Sequence, residues 1–381
     1  MRLSKKLKVA VLFGGQSGEH EVSIQSACSV IESMNPDKFE IIPVAITHEG
    51  GWKGGSDSLA LLRKSLGHDI LDRLVSEERL ALVDRLTSNQ VLDLIGQRKG
   101  LPVVAMREVD VIFPVLHGTY GEDGTIQGLL ELAGKPYVGA GVLASSVGMD
   151  KVMMKQIFAQ TGLPQGDFTF VLRRHWEQEA EQIIERIESR FTYPCFVKPS
   201  NLGSSVGISK VKDRDTLCEA IDLACHYDRK VLIEEFIPAR EVEVAVLGND
   251  EPKASVPGEI IASNEFYDYR AKYIDGKSVI QIPADLPNET TELLRKWAVK
   301  AFQAVDGSGL ARIDFFVRTD NGKVLINEIN TMPGFTAYSM YPKLWEYSGL
   351  SYSALVEKLI ELAFDRYREK SRNATKFDLE S

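Results

Sequence analysis

The chain has no surplus of basic residues, no long apolar run and very little cysteine. Lysine and arginine number 45 against 54 aspartates and glutamates, a formal charge of -9. Without a basic surplus no surface is expected to neutralise a nucleic-acid backbone, although a local phosphate pocket is not excluded. No stretch approaches the roughly 20 apolar residues that a membrane helix needs, so no membrane partner is expected. The four cysteines, Cys28, Cys195, Cys218 and Cys225, show no C-x-x-C spacing; they fit the reduced thiols of a cytoplasmic protein, not a disulfide frame or a zinc site. Internal repeats and low-complexity tracts are missing. So are G-x-G-x-x-G and Walker loops, which counts against a dinucleotide oxidoreductase.

What is present is 381 residues with an ordinary hydrophobic fraction of 44%, enough for two or three domains. The opening apolar run, K-V-A-V-L-F, stops at Gly14 and reads as a buried strand, not a signal peptide. A glycine turn and a helix to about Met34 follow it, the start of an open α/β sheet whose ligands gather beyond the strand carboxyl ends. Glu19 stands at that turn, where it could also simply favour the helix N-terminus. A second strand ends near Thr47. Residues 51–104 are charged and partly helix-patterned, and read as an insertion decorating this domain. A third strand delivers His117 into H-G-T-Y-G-E-D-G, on the same expected rim as Glu19, though a histidine at a strand end is often structural.

The texture changes near Val142–Asp150. Lys151 and Lys155 then share a helical face, usually a solvated arrangement. The strand Y-P-C-F-V-K-P-S carries Lys198 into N-L-G-S-S-V-G. Amides freed by Gly203 and Gly207, with Ser204 and Ser205, suit a polyphosphate, and a flexible linker is the alternative. The segment Glu234–Ile237 could meet a flat base edge and Glu241 sugar hydroxyls, roles that spacing alone does not establish. Residues 259–277, aromatic and charged, suit a surface loop able to close over a site.

The richest stretch is Gly309–Gly334, two strands around D-N-G. A two-residue Asn-Gly hairpin would throw Asp314 and Glu328 onto opposite faces. A three-residue loop of Asp320, Asn321 and Gly322 sets them directly across from each other, with Arg312 and Asn330 on the same face, and is preferred. Opposed carboxylates repel unless something positive lies between them, and oxygen ligands at this spacing suit a hard cation held with substrate phosphates. A solvated hairpin with scattered charge is the bland alternative.

Six strings in order carry a resemblance: G-G-Q-S-G-E-H-E-V-S at 14–23, H-G-T-Y-G-E-D-G at 117–124, M-D-K at 149–151, K-P-S-N-L-G-S-S-V-G at 198–207, Y-D-Y-R-A-K-Y at 267–273, and R-I-D with N-E-I-N-T-M-P-G-F-T. Together they resemble the ATP-grasp superfamily and, more closely, its D-alanine:D-alanine ligases. The resemblance implies an N-terminal open α/β domain (1–147) and a two-domain ATP-grasp unit (148–242 and 243–381), with ATP between the last two. It implies two D-alanines joined through an acyl phosphate, and a cytoplasmic homodimer serving peptidoglycan precursor synthesis.

By that resemblance Lys151, Lys198 and Ser205 meet the phosphates; Glu234, Phe236 and Ile237 meet adenine, and Glu241 the ribose. Asp314, Glu328 and Asn330 are implied ligands of two Mg2+ or Mn2+ ions. Arg312 steadies the acyl phosphate and the later oxyanion. Glu19 takes the first substrate's ammonium and, with Ser204 and Tyr273, holds a closing loop. Lys272 and Ser339 bind the second substrate's carboxylate, with His117 and Gly334 nearby. Tyr273 implies dipeptide synthesis, because relatives that make D-alanyl-D-lactate commonly carry phenylalanine there. Two other readings share parts of the pattern. An ATP-grasp ligase for other substrates would share Lys198, Asp314 and Glu328 but has no reason to keep H-G-T-Y-G-E-D-G, and a non-catalytic nucleotide sensor could lose Arg312 or a metal ligand.

Overall fold

The computed structural model describes residues 6–63, 109–203, 206–261 and 279–374. Ser204, Ser205, Lys272, Tyr273 and most of the 51–104 and 259–277 segments lie outside the described residues.

Three sheets follow one another along the chain. The first has the order β3-β2-β1-β4, built from β1 (Leu7–Gly14), β2 (Phe39–Ile46), β3 (Trp52–Lys53) and β4 (Val111–Pro114). Strand β1 is central and parallel to β2 and β4. Its unbroken apolar run is explained by burial on both faces: Val9, Val11 and Phe13 enter one core, while Ala10 and Leu12 enter another. Helix α1 (His20–Ser33) packs on β1. Because Leu12 pairs with Pro114, β1 and β4 end side by side and release Glu19 and His117 onto one rim. The early part of the 51–104 segment is more than decoration. It supplies β3 and α2 (Gly55–Arg63), whose Leu59 and Leu62 are buried in the core beneath β2.

Helices α3 (Thr125–Ala133), α4 (Val142–Met149) and α5 (Lys151–Gln160) lead to the second sheet. It is antiparallel, in the order β5-β8-β6-β7: β5 (Phe168–Leu172), β6 (Cys195–Pro199), β7 (Ser209–Val211) and β8 (Lys230–Glu235). Helices α6 (Arg173–Arg190) and α7 (Arg214–Tyr227) share its core through Trp176, Ile183, Leu217 and Ile221. The third sheet runs β12-β11-β9-β13-β14, with β10 beside β9. Its strands are β9 (Ala239–Gly248), β10 (Lys253–Ala254), β11 (Gly258–Ile261), β12 (Val279–Gln281), β13 (Gly309–Arg318) and β14 (Val324–Asn330). Around it lie α8 (Asn288–Ala304), α9 (Met340–Tyr347) and α10 (Tyr352–Lys370). The division expected at 242/243 falls inside β9, and the sheets change over at 236–238; that expected at 147/148 falls inside α4.

The β13–β14 hairpin opposes the expected pairs by a different route. The turn spans 319–322, one residue more than expected, with the Arg318 N–H donating to the Lys323 carbonyl (3.0 Å) and Gly322 left-handed at φ 70°. On that turn alone Asp314 would face Asn327. A bulge between Asp314 and Phe315 makes Asn327 the extra residue. Beyond it Asp314 faces Glu328 and Arg312 faces Asn330. Strict alternation would put Ile326 and Ile329 on opposite faces, whereas the bulge lets both enter the same core.

Candidate active site

A row of acids crosses three strands. Asp314 on β13 stands opposite Glu243 on β9 on one side and Glu328 on β14 on the other, a repulsive row unless cations compensate it. Arg312, two residues from Asp314 on the same face, is the first such cation. Its Nε and Nη2 donate to the two Asp314 carboxylate oxygens, both at 2.7 Å, and Nε lies 3.0 Å from Glu243 Oε2. Burial disfavours the guanidinium charge, but Asp314 and Glu243 outweigh that and raise its pKa further above its ordinary value.

Lys151 is the second cation. Asp150 caps α5 by accepting from the amides of Val152 (3.1 Å) and Met153 (3.2 Å), and Ser200 Oγ (2.8 Å) and Lys230 Nζ hold its carboxylate. This fixes Lys151 at the first helical position, where the helix dipole opposes a positive charge. The M-D-K string therefore spends a cap on placing a lysine where a helix alone would not want one. Lys151 Nζ donates to the Leu202 carbonyl at 2.8 Å and lies 3.9 Å from Glu328.

A buried triad stands apart from this row. Lys155 and Lys198 each reach Glu234 at 2.6 Å. Register explains it: Glu234 on β8 faces Phe196 on β6, and Lys198 is two residues further along that face. Lys155, expected to be solvated, is only 3% exposed, and it also donates to the carbonyl of the bulge residue Asn327 at 3.3 Å. Burial tends to raise the Glu234 pKa, but the two lysines dominate and draw it down to about 2. For Lys198, burial is likewise outweighed by Glu234 and Glu328, which raise its pKa.

Two cavities meet at the acid row. The larger, about 550 Å3, is lined by Lys155, Lys198, Glu234, Phe236, Ile237, Glu241 and Asp314. The smaller, about 330 Å3, is lined by Glu19, His117, Glu122, Asn330, Gly334 and Ser339. Lys151, Gly203, Glu243, Arg312 and Glu328 line both. A group bound in one therefore meets a group bound in the other beside Arg312 and Lys151.

In the smaller cavity, His117 is pinned between Ser26 Oγ (3.0 Å) and the Met332 carbonyl (2.9 Å), and burial favours its neutral ring. Glu122 accepts from the Gly118 amide at 2.8 Å; burial, then Glu19, push its carboxyl up to about 8. Glu19 is hemmed by glycines, since a Cβ on Gly118 or Gly203 would lie 2.8 or 2.9 Å from its Oε2. Ser339 stands at the N-terminal end of α9, but its hydroxyl turns back to accept from the Thr336 amide at 3.0 Å and makes no capping bond to the helix. The positive end of α9 thus borders the cavity, which suits a carboxylate.

Of the expected site residues, those within the described part all line one or both cavities, and Ser204, Ser205, Lys272 and Tyr273 lie outside it. Sequence reasoning missed Lys155, Glu122 and Glu243. The alternation E-V-E-V could have flagged Glu243, because it shares a face with Glu241. Asp314, Glu328 and Asn330 present hard oxygen donors with no sulfur or imidazole among them, a set that fits Mg2+ or Mn2+. Both Asp314 oxygens are held by Arg312, so a cation there needs that fork to yield.

A cleft of about 550 Å3 between an antiparallel sheet and a second sheet bearing the acid row, with Leu202 and Gly203 in its wall, defines an ATP-grasp protein. Residues 8–140 match the family model for the D-ala D-ala ligase N-terminus and residues 157–361 that for the D-ala D-ala ligase C-terminus. The chain belongs to the D-alanine–D-alanine ligase family. The D-alanine–D-alanine ligase of Acetivibrio thermocellus is 54% identical over 378 residues, covering 96% of this chain and 98% of its own. That of Natranaerobius thermophilus is 52% identical over 376 residues, covering 98% and 99%. Among solved structures, the D-alanine-D-alanine ligase from Coxiella burnetii superposes with a TM-score of 0.78 at 37% identity, covering 97% of each chain. The VanG D-Ala:D-Ser ligase from Enterococcus faecalis gives 0.76 at 38% identity, covering 94% of this chain and 100% of its own.

Proposed function

We propose that the chain joins two D-alanines at the expense of ATP to give D-alanyl-D-alanine, ADP and phosphate. The observation that carries this is the shared wall of the two cavities, where Lys151, Arg312 and Glu328 face both. ATP occupies the larger cavity, with adenine against Glu234, Phe236 and Ile237, the ribose on Glu241, and phosphates on Lys151, Lys198 and the 201–207 loop with Ser205. The first D-alanine occupies the smaller one, its ammonium on Glu19.

Its carboxylate oxygen attacks the γ-phosphorus as the bond to ADP breaks, a step that needs positioning and charge neutralisation more than covalent help. Lys151, Lys198 and Arg312 neutralise the charge. The second D-alanine, with its carboxylate on Ser339 and Lys272 near His117 and Gly334, attacks the acyl carbon through its neutral amine. Arg312 then stabilises the oxyanion until phosphate departs. Asp314, Glu328 and Asn330 would hold two Mg2+ or Mn2+ ions, which would supply charge neutralisation for phosphoryl transfer. Glu19, Ser204 and Tyr273 tie down the closing loop.

The three sheets correspond to an N-terminal substrate domain and a two-domain ATP-grasp unit. A cytoplasmic homodimer serving peptidoglycan precursor synthesis is part of the same proposal. Tyr273 favours D-alanine over D-lactate as second substrate; a preference for D-lactate at neutral pH would contradict it. The test of the whole is phosphate release from ATP with D-alanine or L-alanine. Release is expected with D-alanine alone, and release indifferent to D-alanine would remove the proposal.

A further inference from the structure

Glu243 has no part in the roles just described, yet it is the most enclosed member of the acid row. It is 5% exposed, stands directly across from Asp314, lines both cavities, and lies 3.0 Å from Arg312 Nε. The Arg312 fork, meanwhile, occupies both oxygens of Asp314 at 2.7 Å. If Asp314 is to accept a cation, as proposed above, the guanidinium has to give up at least one of those bonds. A buried guanidinium that gives up one anion without another at hand is left uncompensated, which is strongly unfavourable.

We infer that Glu243 is a positioning residue that keeps Arg312 in the site while Asp314 exchanges the guanidinium for a divalent cation. Arg312 has a carboxylate on each side, one on its own strand and one on β9. Loosening from Asp314 therefore transfers it to Glu243 and does not expel it. The exchange leaves Asp314 available to the ion and keeps Arg312 beside the wall that both cavities share. Glu243 acts through Arg312, not on the ion.

This rests on the proposed nucleotide site but not on D-alanine chemistry, and the experiment uses neither D-alanine nor turnover. Mn2+ affinity in the presence of ADP is measured from the paramagnetic signal of free Mn2+, for Glu243→Gln in the native background and in an Arg312→Ala background. In the native background Glu243→Gln is expected to weaken Mn2+ by about tenfold, because Arg312 then clings to Asp314; in the Arg312→Ala background the same change is expected to weaken it less than about threefold. Glu243→Asp, which keeps the charge, is expected to stay within about threefold of the native protein. Should Glu243→Gln not fold, the smaller uncharged Glu243→Thr serves the same cycle. Equal loss in both backgrounds would mean that Glu243 acts on the ion directly, and no loss in the native background would mean that it does not hold Arg312; either overturns the inference. Absence of D-alanine-dependent phosphate release alongside an intact cycle would count against the proposed reaction alone.

Discussion

Arg312 and Asp314, two residues apart on one strand, are joined by a two-pronged ion pair with both contacts at 2.7 Å. The pair places a largely buried cation where the two cavities meet. Lysine cannot reproduce the planar fork. Arg312→Ala is therefore expected to keep nucleotide binding while kcat falls by roughly 100-fold or more, the scale of losing a principal oxyanion stabiliser. Calorimetric ADP binding beside steady-state turnover checks this, and unchanged turnover would contradict the role.

Glu234 makes stability depend on acid. Its folded pKa, drawn down to about 2 from an ordinary 4.5, means that its contribution is present above about pH 4.5 and is lost as pH falls through 2. The shift corresponds to roughly 3 kcal/mol. Glu234→Gln leaves two buried ammonium groups without their counter-charge, and is expected to cost roughly 3–5 kcal/mol at pH 7. Over pH 4.5 to 2 the variant should lose less further stability than the native protein. Urea unfolding at several pH values measures both, and parallel pH profiles would contradict the assignment.

Gly118 guards Glu19. It sits at φ 72°, where a side chain is strained, and an added Cβ would lie 2.8 Å from Glu19 Oε2. Gly118→Ala is expected to cost roughly 1–2 kcal/mol in stability and to raise the KM of the first D-alanine more than that of ATP. An equal rise in both would separate Glu19 from the first amino acid.

Much of this was legible in the sequence because local rules coincide with the fold. Unbroken apolar runs marked the buried strands, and glycine loops marked the rims. The hairpin shows where such rules stop. Its pairing of Asp314 with Glu328 was anticipated, but through a shorter turn with no bulge. The bulge at Asn327 answers to Ile326 and Ile329 packing into one core, a tertiary demand that the turn residues do not encode. Lys155 was expected in solvent because helical spacing puts it near Lys151, yet its depth is set by Glu234 on a distant strand. Glu243 belonged to a recognised alternating strand, but that strand's neighbour, β13, lies more than 60 residues further on. Helix α9 was missed, since M-Y-P-K-L-W-E-Y offers a short pattern interrupted by proline.

The proposed chemistry turns on the first D-alanine's own carboxyl oxygen becoming the bridge to phosphorus. D-alanine carrying 18O in its carboxylate, incubated with ATP and the protein, tests this by mass spectrometry of the released phosphate. One 18O per phosphate is expected for each dipeptide formed. Dipeptide formed together with phosphate free of 18O would show that no acyl phosphate intervenes, and would contradict the roles given to both cavities.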